Sequence, residues 1–268
     1  MKVNKSLKEN VTYINKKATM SANMIITPKK FDVSEISLAD VQKNKMGGNM
    51  VYMKYGDMKK LTIQTPLMSA PFGISTYVDD KTNAKKYSID VSFKGMEDDP
   101  KIQMFHDKMN SLDEFLIEEG AKNSKAWFGK AQKKEVVEAL YRPLVKPSKE
   151  PEKYAPTMKI KIQARDDEFN VESFKYNSGS GKHEPFNLTE ISKGAKVQMI
   201  LEAGSIWFVG KTQFGITWRL VQVRVQQPEK IQGYSFRDDS DDEDDDIEDP
   251  VSDEDELAED LDAASLED

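Results

Sequence analysis

The chain has no cysteine. Disulfides, cysteine-ligated zinc sites and thiol catalysis are excluded on that ground, and a reducing compartment is compatible with it. Histidine is almost as scarce, with only His106 and His183 among 268 residues. Neither has a metal-ligand partner four positions on, and no His-Glu-x-x-His, Gly-x-Ser-x-Gly or Gly-x-x-x-x-Gly-Lys-Ser/Thr run occurs. No segment approaches the ~20 apolar residues that span a bilayer, and Met24-Ile25-Ile26 is too short for a secretory apolar region. These absences point to a soluble intracellular binding protein with no cofactor and no membrane partner, rather than an enzyme.

Basic residues are missing from one end. Asp238 to Asp268 holds nineteen Asp and Glu and no Lys or Arg. All 39 basic residues therefore precede Asp238, together with the other 28 of the 47 acidic ones, so 1–237 carries a net +11 and 238–268 a net −19. The summed charge of −8 conceals this split. A positive body attracts a polyanion, and a negative tail on the same chain competes for the same surface. Hydrophobic residues make up 38%, and the shortfall is concentrated in the tail. Like charges and little to bury predict a disordered tail over 238–268. Leu257, Leu261 and Leu266 form a small apolar set within it, either a helix that forms on a partner or a plain solvated terminus. Residues 1–22 read as a flexible basic arm, with Lys2, Lys5, Lys8, Lys16 and Lys17 against Glu9. The arm is either frayed or laid along phosphates.

Between arm and tail, 23–237 reads as one mainly β domain. Leu61 to Thr65 is a short strand stopped by Pro66, and Pro71-Phe72-Gly73-Ile74 turns into another that ends at Tyr77-Val78. Asp79 to Asn83 is a polar hairpin loop. Tyr87, Ile89, Val91 and Phe93 then alternate with Ser88, Asp90, Ser92 and Lys94 as a half-buried strand. Near 100–141 the period changes. Asp98-Asp99-Pro100 starts a helix with Ile102, Phe105, Met109, Leu112, Phe115 and Leu116 as its core stripe, and Gly120 suits its C-terminal cap. A second helix spans about Gln132 to Tyr141. Lys125, Trp127 and Phe128 lie between them, either a basic aromatic lip for a single strand or a helix–helix loop with an aromatic anchor.

Ile160, Ile162 and Ala164 alternate with Lys159, Lys161, Gln163 and Arg165, which gives a strand with one apolar face and one carrying three positive charges. Such a face suits phosphates spaced ~7 Å apart along the strand direction, or simply protects an edge from aggregation. Asn177 to Lys182 is a loop that either wraps a nucleic acid strand or closes a long hairpin.

Gly194 to Val225 is the most structured stretch and reads as three strands, the last running unbroken from Gly215. Its apolar set passes from Ile216, Trp218 and Leu220 to Val221, Val223 and Val225. A bent strand shared by two layers of a small barrel has that pattern, with a bulge where the faces exchange. Trp207, Phe208, Phe214 and Trp218 are candidates for base stacking, or else core rings. Lys211, Arg219 and Arg224 join Lys159, Lys161 and Arg165 as phosphate candidates.

Gln64-Thr65-Pro66, Pro71-Phe72-Gly73-Ile74, the Tyr87–Phe93 strand, Trp127-Phe128 and Ile206-Trp207-Phe208…Phe214-Gly215-Ile216-Thr217-Trp218 resemble the single-stranded DNA-binding proteins of nucleocytoplasmic large DNA viruses, the phycodnavirus-like branch especially. The resemblance covers most of 23–227. It implies an OB-fold-like barrel that coats single-stranded DNA without sequence preference during viral replication or recombination, in the host cytoplasm, a viral factory or the nucleus. The acidic tail is similar to those of phage and bacterial single-strand binders, which recruit replication proteins. It ends Leu266-Glu267-Asp268, where those often end in an aromatic residue. An acidic-tailed histone chaperone, a replication or transcription scaffold and an undetected nuclease are the rival readings. The +11 body argues against the first.

Overall fold

A computed structural model describes residues 25–45, 47–165, 168–177 and 179–228. In chain order the strands are β1 (Ile36–Leu38), β2 (Gln42–Lys43), β3 (Asn49–Val51), β4 (Met53–Tyr55), β5 (Thr62–Gln64), β6 (Met68–Ala70), β7 (Ile74–Val78) and β8 (Lys85–Ser92). Helices α1 (Pro100–Lys122), α2 (Ser124–Phe128) and α3 (Lys134–Leu140) follow. Then come β9 (Val145–Lys146), β10 (Thr157–Ile162), β11 (Ala164–Arg165), β12 (Glu168–Phe169), β13 (Glu172–Asn177), β14 (Lys182–Pro185), β15 (Ala195–Ala203), β16 (Ile206–Val209), β17 (Gln213–Gly215) and β18 (Trp218–Gln226).

Five strand positions close into a ring. β6 pairs β8, β8 pairs β10, β10 pairs β18, β18 pairs β15, and β15 returns to β6. β5 extends the first position, because it also pairs β15. Counted along the chain the ring order is 1-2-3-5-4-1, and only the third and fifth positions run parallel. This is the OB-type Greek-key barrel. The helical insertion lies between the second and third positions.

Alternation makes the barrel. Along β10 the buried residues are Met158, Ile160 and Ile162, and along β15 every second residue from Ala195 to Ala203 is buried. Trp218, Ile89, Val91, Val197, Leu201 and Val223 complete the interior. The break between β5 and β6 has a local cause. Pro66 cannot donate to the ladder. The Thr65 hydroxyl fills in: it accepts from Met199 N at 3.0 Å and donates to Pro66 O at 2.8 Å. The strand that was expected to stop at Pro66 therefore resumes at Met68.

The expected bulge is present. The β15–β18 register shifts between Ile200, which faces Gln222, and Leu201, which faces Leu220. The exchange falls one residue later than the pattern suggested, and Val221 is 42% exposed while Val223 and Val225 are buried. The long strand also begins later. β17 belongs to a separate sheet with order β17-β16-β3-β2, and the chain changes sheets at Ile216-Thr217. Gly204 N–H bonds to Thr217 O at 2.8 Å there, and a Cβ on Gly204 would lie 2.9 Å from that oxygen.

α1 starts as expected, with the Asp99 carboxylate accepting from Lys101 N at 2.8 Å and Pro100 in the first turn. Ile102, Phe105, Met109, Leu112 and Leu116 form the buried stripe, Phe115 is only partly buried against it, and Phe105 stacks on Phe93 with ring centroids 5.9 Å apart. Gly120 is not the cap. The helix continues to Lys122, and a Cβ on Gly120 would meet Val137 Cγ1 at 2.8 Å and Phe214 Cζ at 3.1 Å. It is a packing glycine that lets α3 and the β17 strand approach. The residues expected to form a loop at 124–128 are the short helix α2, closed by Gly129 at φ +82°.

Candidate nucleic-acid interface

The outward face of the barrel is built by the same alternation that fills its interior. Direct cross-strand partners point to one side of a sheet. Ser88 of β8 faces Lys161 of β10, which faces Arg219 of β18, which faces Glu202 of β15. Lys159 and Asp90 form the neighbouring row, with Lys159 Nζ 3.5 Å from Asp90 Oδ2. On the other side Lys86 pairs with Tyr77 of β7, and its ammonium lies 5.7 Å from the Tyr77 ring centroid. Tyr77 is 58% exposed. Lys86, Lys159, Lys161 and Arg219 thus share one outer surface.

Their charges are not equally compensated. Asp79 takes Lys86 at 3.3 Å, and Glu202 holds Arg219 and, at 2.9 Å, Lys60. Lys161 has no carboxylate partner among the described residues. Burial against the sheet, and then the nearby Lys86, hold its ammonium below the ordinary lysine range. A cation crowded by a cation and left without an anion gains from a phosphate oxygen.

The aromatic expectations need correction. Trp218 and Phe214 are fully buried, and Trp127, Phe128 and Phe208 are also core residues. A ring enclosed on both faces by protein has no face left for a base. Trp218 lies in the barrel interior beside Ile160. The other four, with Tyr141, form one internal cluster whose contacting rings have centroids 5.1–6.3 Å apart. The sequence motifs around Trp127-Phe128 and Phe208…Phe214 do converge, but to anchor the helical insertion on the β16–β17 hairpin. Trp207 is different. It is half-buried and faces Gly215 across the ladder, where a Cβ would lie 3.0 Å from its indole Cζ2.

The remaining cations separate. Lys125 and Lys211 are exposed, and both lie near Gly129, at the end of α2. Gly129 N–H bonds to Lys125 O at 3.0 Å, and Lys211 Nζ lies 3.3 Å from where a Gly129 Cβ would stand. A lysine at a helix C-terminus also satisfies the local dipole. The alternation expected to run on to Arg165 stops at Ile162: Ala164 and Arg165 are both exposed on the separate strand β11, and Arg165 is engaged in an interaction of its own. Arg224 lies on the outer face five residues along β18 from Arg219.

Around Arg224 the surface changes character. Phase across the sheet places Phe174 of β13 opposite Arg224, and Arg224 opposite Gln198 of β15. The next row runs Glu172, Gln222, Ile200, Gln64. An open groove of about 410 Å³ lies over these rows, with His183 of β14 at its border. Sequence reasoning missed Lys86, Tyr77, Phe174, Tyr176 and His183. The alternation in 85–92 already placed Lys86 with Ser88 and Asp90. Nothing local placed Tyr176 and His183 together, because their pairing depends on the register of the β13–β14 hairpin.

The basic arm 1–22, most of the acidic tail's approach and the whole of 238–268, with Leu257, Leu261 and Leu266, lie outside the described residues. Among the described residues no group of three or more His, Asp and Glu is placed to hold a metal ion, and no helix is long and apolar enough to cross a membrane.

A family model described as a family of unknown function (DUF5871) matches residues 90–238, more than half of the chain, and the chain belongs to that family. No curated protein matches it. Among solved structures it is similar to the single-stranded DNA-binding protein from bacteriophage Enc34 in complex with ssDNA, at 18% identity over 74% of this chain and 99% of that one, with a TM-score of 0.39. It is also similar to gp2.5, a single-stranded DNA binding protein encoded by bacteriophage T7, at 15% identity over 69% and 94% of the two chains, with a TM-score of 0.42. What each of those proteins binds is a property of that protein.

Proposed function

We propose that this member of the family is a non-enzymatic protein that binds single-stranded DNA, without sequence preference, along the outer face of its barrel. The observation that carries the reading is the row in which Lys161 stands between β8 and Arg219, close to Lys86 and without a carboxylate of its own. Strands hold the backbone of these cations at fixed spacing, so only their side-chain rotamers remain to be ordered when a phosphate backbone meets them. Lys159 and Arg224 extend the track, and Lys125, Arg165, Trp207 and Lys211 are secondary contacts. Exposed rings beside the cations suit unpaired bases, whose faces a duplex conceals.

Coating of single strands during viral DNA replication or recombination is the cellular role in this proposal. The −19 tail is a tethered polyanion that competes with DNA for the body, and its leucines recruit replication proteins once DNA has displaced it.

The test is a titration of the full chain with oligo-dT, with duplex DNA of equal length and with core histones, over a salt series. Tight binding to oligo-dT, weaker binding to duplex, and a log–log salt slope of about −0.7 per phosphate contacted support the reading. Preference for histones or duplex, or no binding at low salt, overturns it.

A further inference from the structure

We infer that the β13–β14 hairpin and the groove beside it form a base-receiving subsite, in which Tyr176 and His183 offer ring faces and Gln222 and Arg224 address the edge of an unstacked base. The inference rests on the single-strand reading above and adds the place where bases, as distinct from phosphates, are held.

Four observations converge. First, Tyr176 is 54% exposed and faces His183 across the hairpin, with ring centroids 5.4 Å apart. A ring pair left outside the core keeps an open face for a third ring. Second, Arg224 has no carboxylate partner among the described residues. Its guanidinium is nevertheless held in place, donating to Gln198 Oε1 and lying 3.5 Å from His183 Nε2. A positioned, unneutralised guanidinium serves both a base oxygen and a phosphate. Third, the amides are oriented. Gln198 Nε2 donates to Thr65 O at 3.1 Å, and Gln222 Nε2 donates to Glu172 Oε2 at 2.8 Å, which leaves the Gln222 carbonyl as a directed acceptor. Fourth, the groove mixes polar and apolar groups in its wall, with Ile200 set between Gln222 and Gln64 in one row. Its volume of about 410 Å³ lies within the usual range for small-molecule sites. A flat ring with donors and acceptors on its edge is the ligand these features share.

The expected contribution is base-dependent and salt-independent. It is read by comparing oligo-dT with an abasic deoxyribose-phosphate chain of the same length and charge. The wild-type chain is expected to prefer oligo-dT by about tenfold or more. Tyr176→Ala and His183→Ala should each reduce that preference several-fold with the salt slope unchanged, and Tyr176→Phe should keep it. Thermal melting of each variant checks that it folds; both positions are exposed. Equal wild-type affinity for the two chains overturns the subsite, as does an unchanged preference in folded Tyr176→Ala. Either result leaves the phosphate-binding face standing. Failure of the wild-type chain to bind either polymer overturns the single-strand reading itself.

Discussion

Trp218 shows what a single side chain does in this molecule. It is fully enclosed, between β10 and β15, at the start of the fifth barrel position. Trp218→Ala should cost roughly 3–5 kcal/mol of stability, as large-to-small changes in cores do. Trp218→Phe should fold, with a lower urea midpoint, and bind oligo-dT within about twofold of wild type. A folded Trp218→Phe that loses more than tenfold in affinity would return the indole to the binding surface. The cationic face was legible at this scale, because Lys159 and Lys161 alternate with Ile160 and Ile162 and the structure keeps that alternation. The orientation of the aromatics was not legible. A period-2 pattern gives relative faces, and the bulge at Val221 decides which face is inside.

Between elements, the joint of the helical insertion is set by Asp113. Its carboxylate, buried in α1, accepts from the Tyr141 hydroxyl at 2.6 Å and from Leu144 N at 3.0 Å. Burial pushes its pKa up to about 6 despite both hydrogen bonds. The folded value lies above the unfolded one, so the protonated form is favoured by folding. The associated stability is fully present below about pH 4 and is lost as pH rises through about 6. A displacement of that size corresponds to about 3 kcal/mol. Asp113→Asn should flatten the dependence of the urea midpoint on pH between 4 and 6, and an unchanged dependence would assign it to other groups. At this scale the helices were legible from their 3.6-residue period and from Asp99-Pro100. Gly120 was not, because a glycine near a helix end suits a cap equally well. Only Val137 and Phe214, distant in sequence, identify it as a packing position. The aromatic cluster is a similar case. Trp127-Phe128 beside lysines has the composition of a single-strand lip, yet the partners that bury it arrive from β16 and β17.

For the whole chain the governing feature is the separation of charge into a +11 body and a −19 tail. A tethered polyanion acts at high effective concentration and is screened by salt. Truncation after Arg237 should therefore raise affinity for oligo-dT at low salt, and the gain should shrink as salt rises. Unchanged or weaker binding on truncation would remove competition from the account and leave the face intact. The bent, shared strand pointed to a small barrel, and its OB type was foreseen only through the family resemblance. The ring order depends on pairings among residues up to a hundred and more positions apart, such as Gln64 with Ile200, and no local pattern encodes those.

The outer face is tested most directly by the salt dependence of oligo-dT binding in Lys86→Ala/Lys161→Ala. The variant should fold as wild type does, bind more weakly at low salt, and show a log–log slope shallower by about 1.4, the value for two lost phosphate contacts on a single strand. A folded variant with wild-type affinity and an unchanged slope would contradict the assignment of the interface to this face.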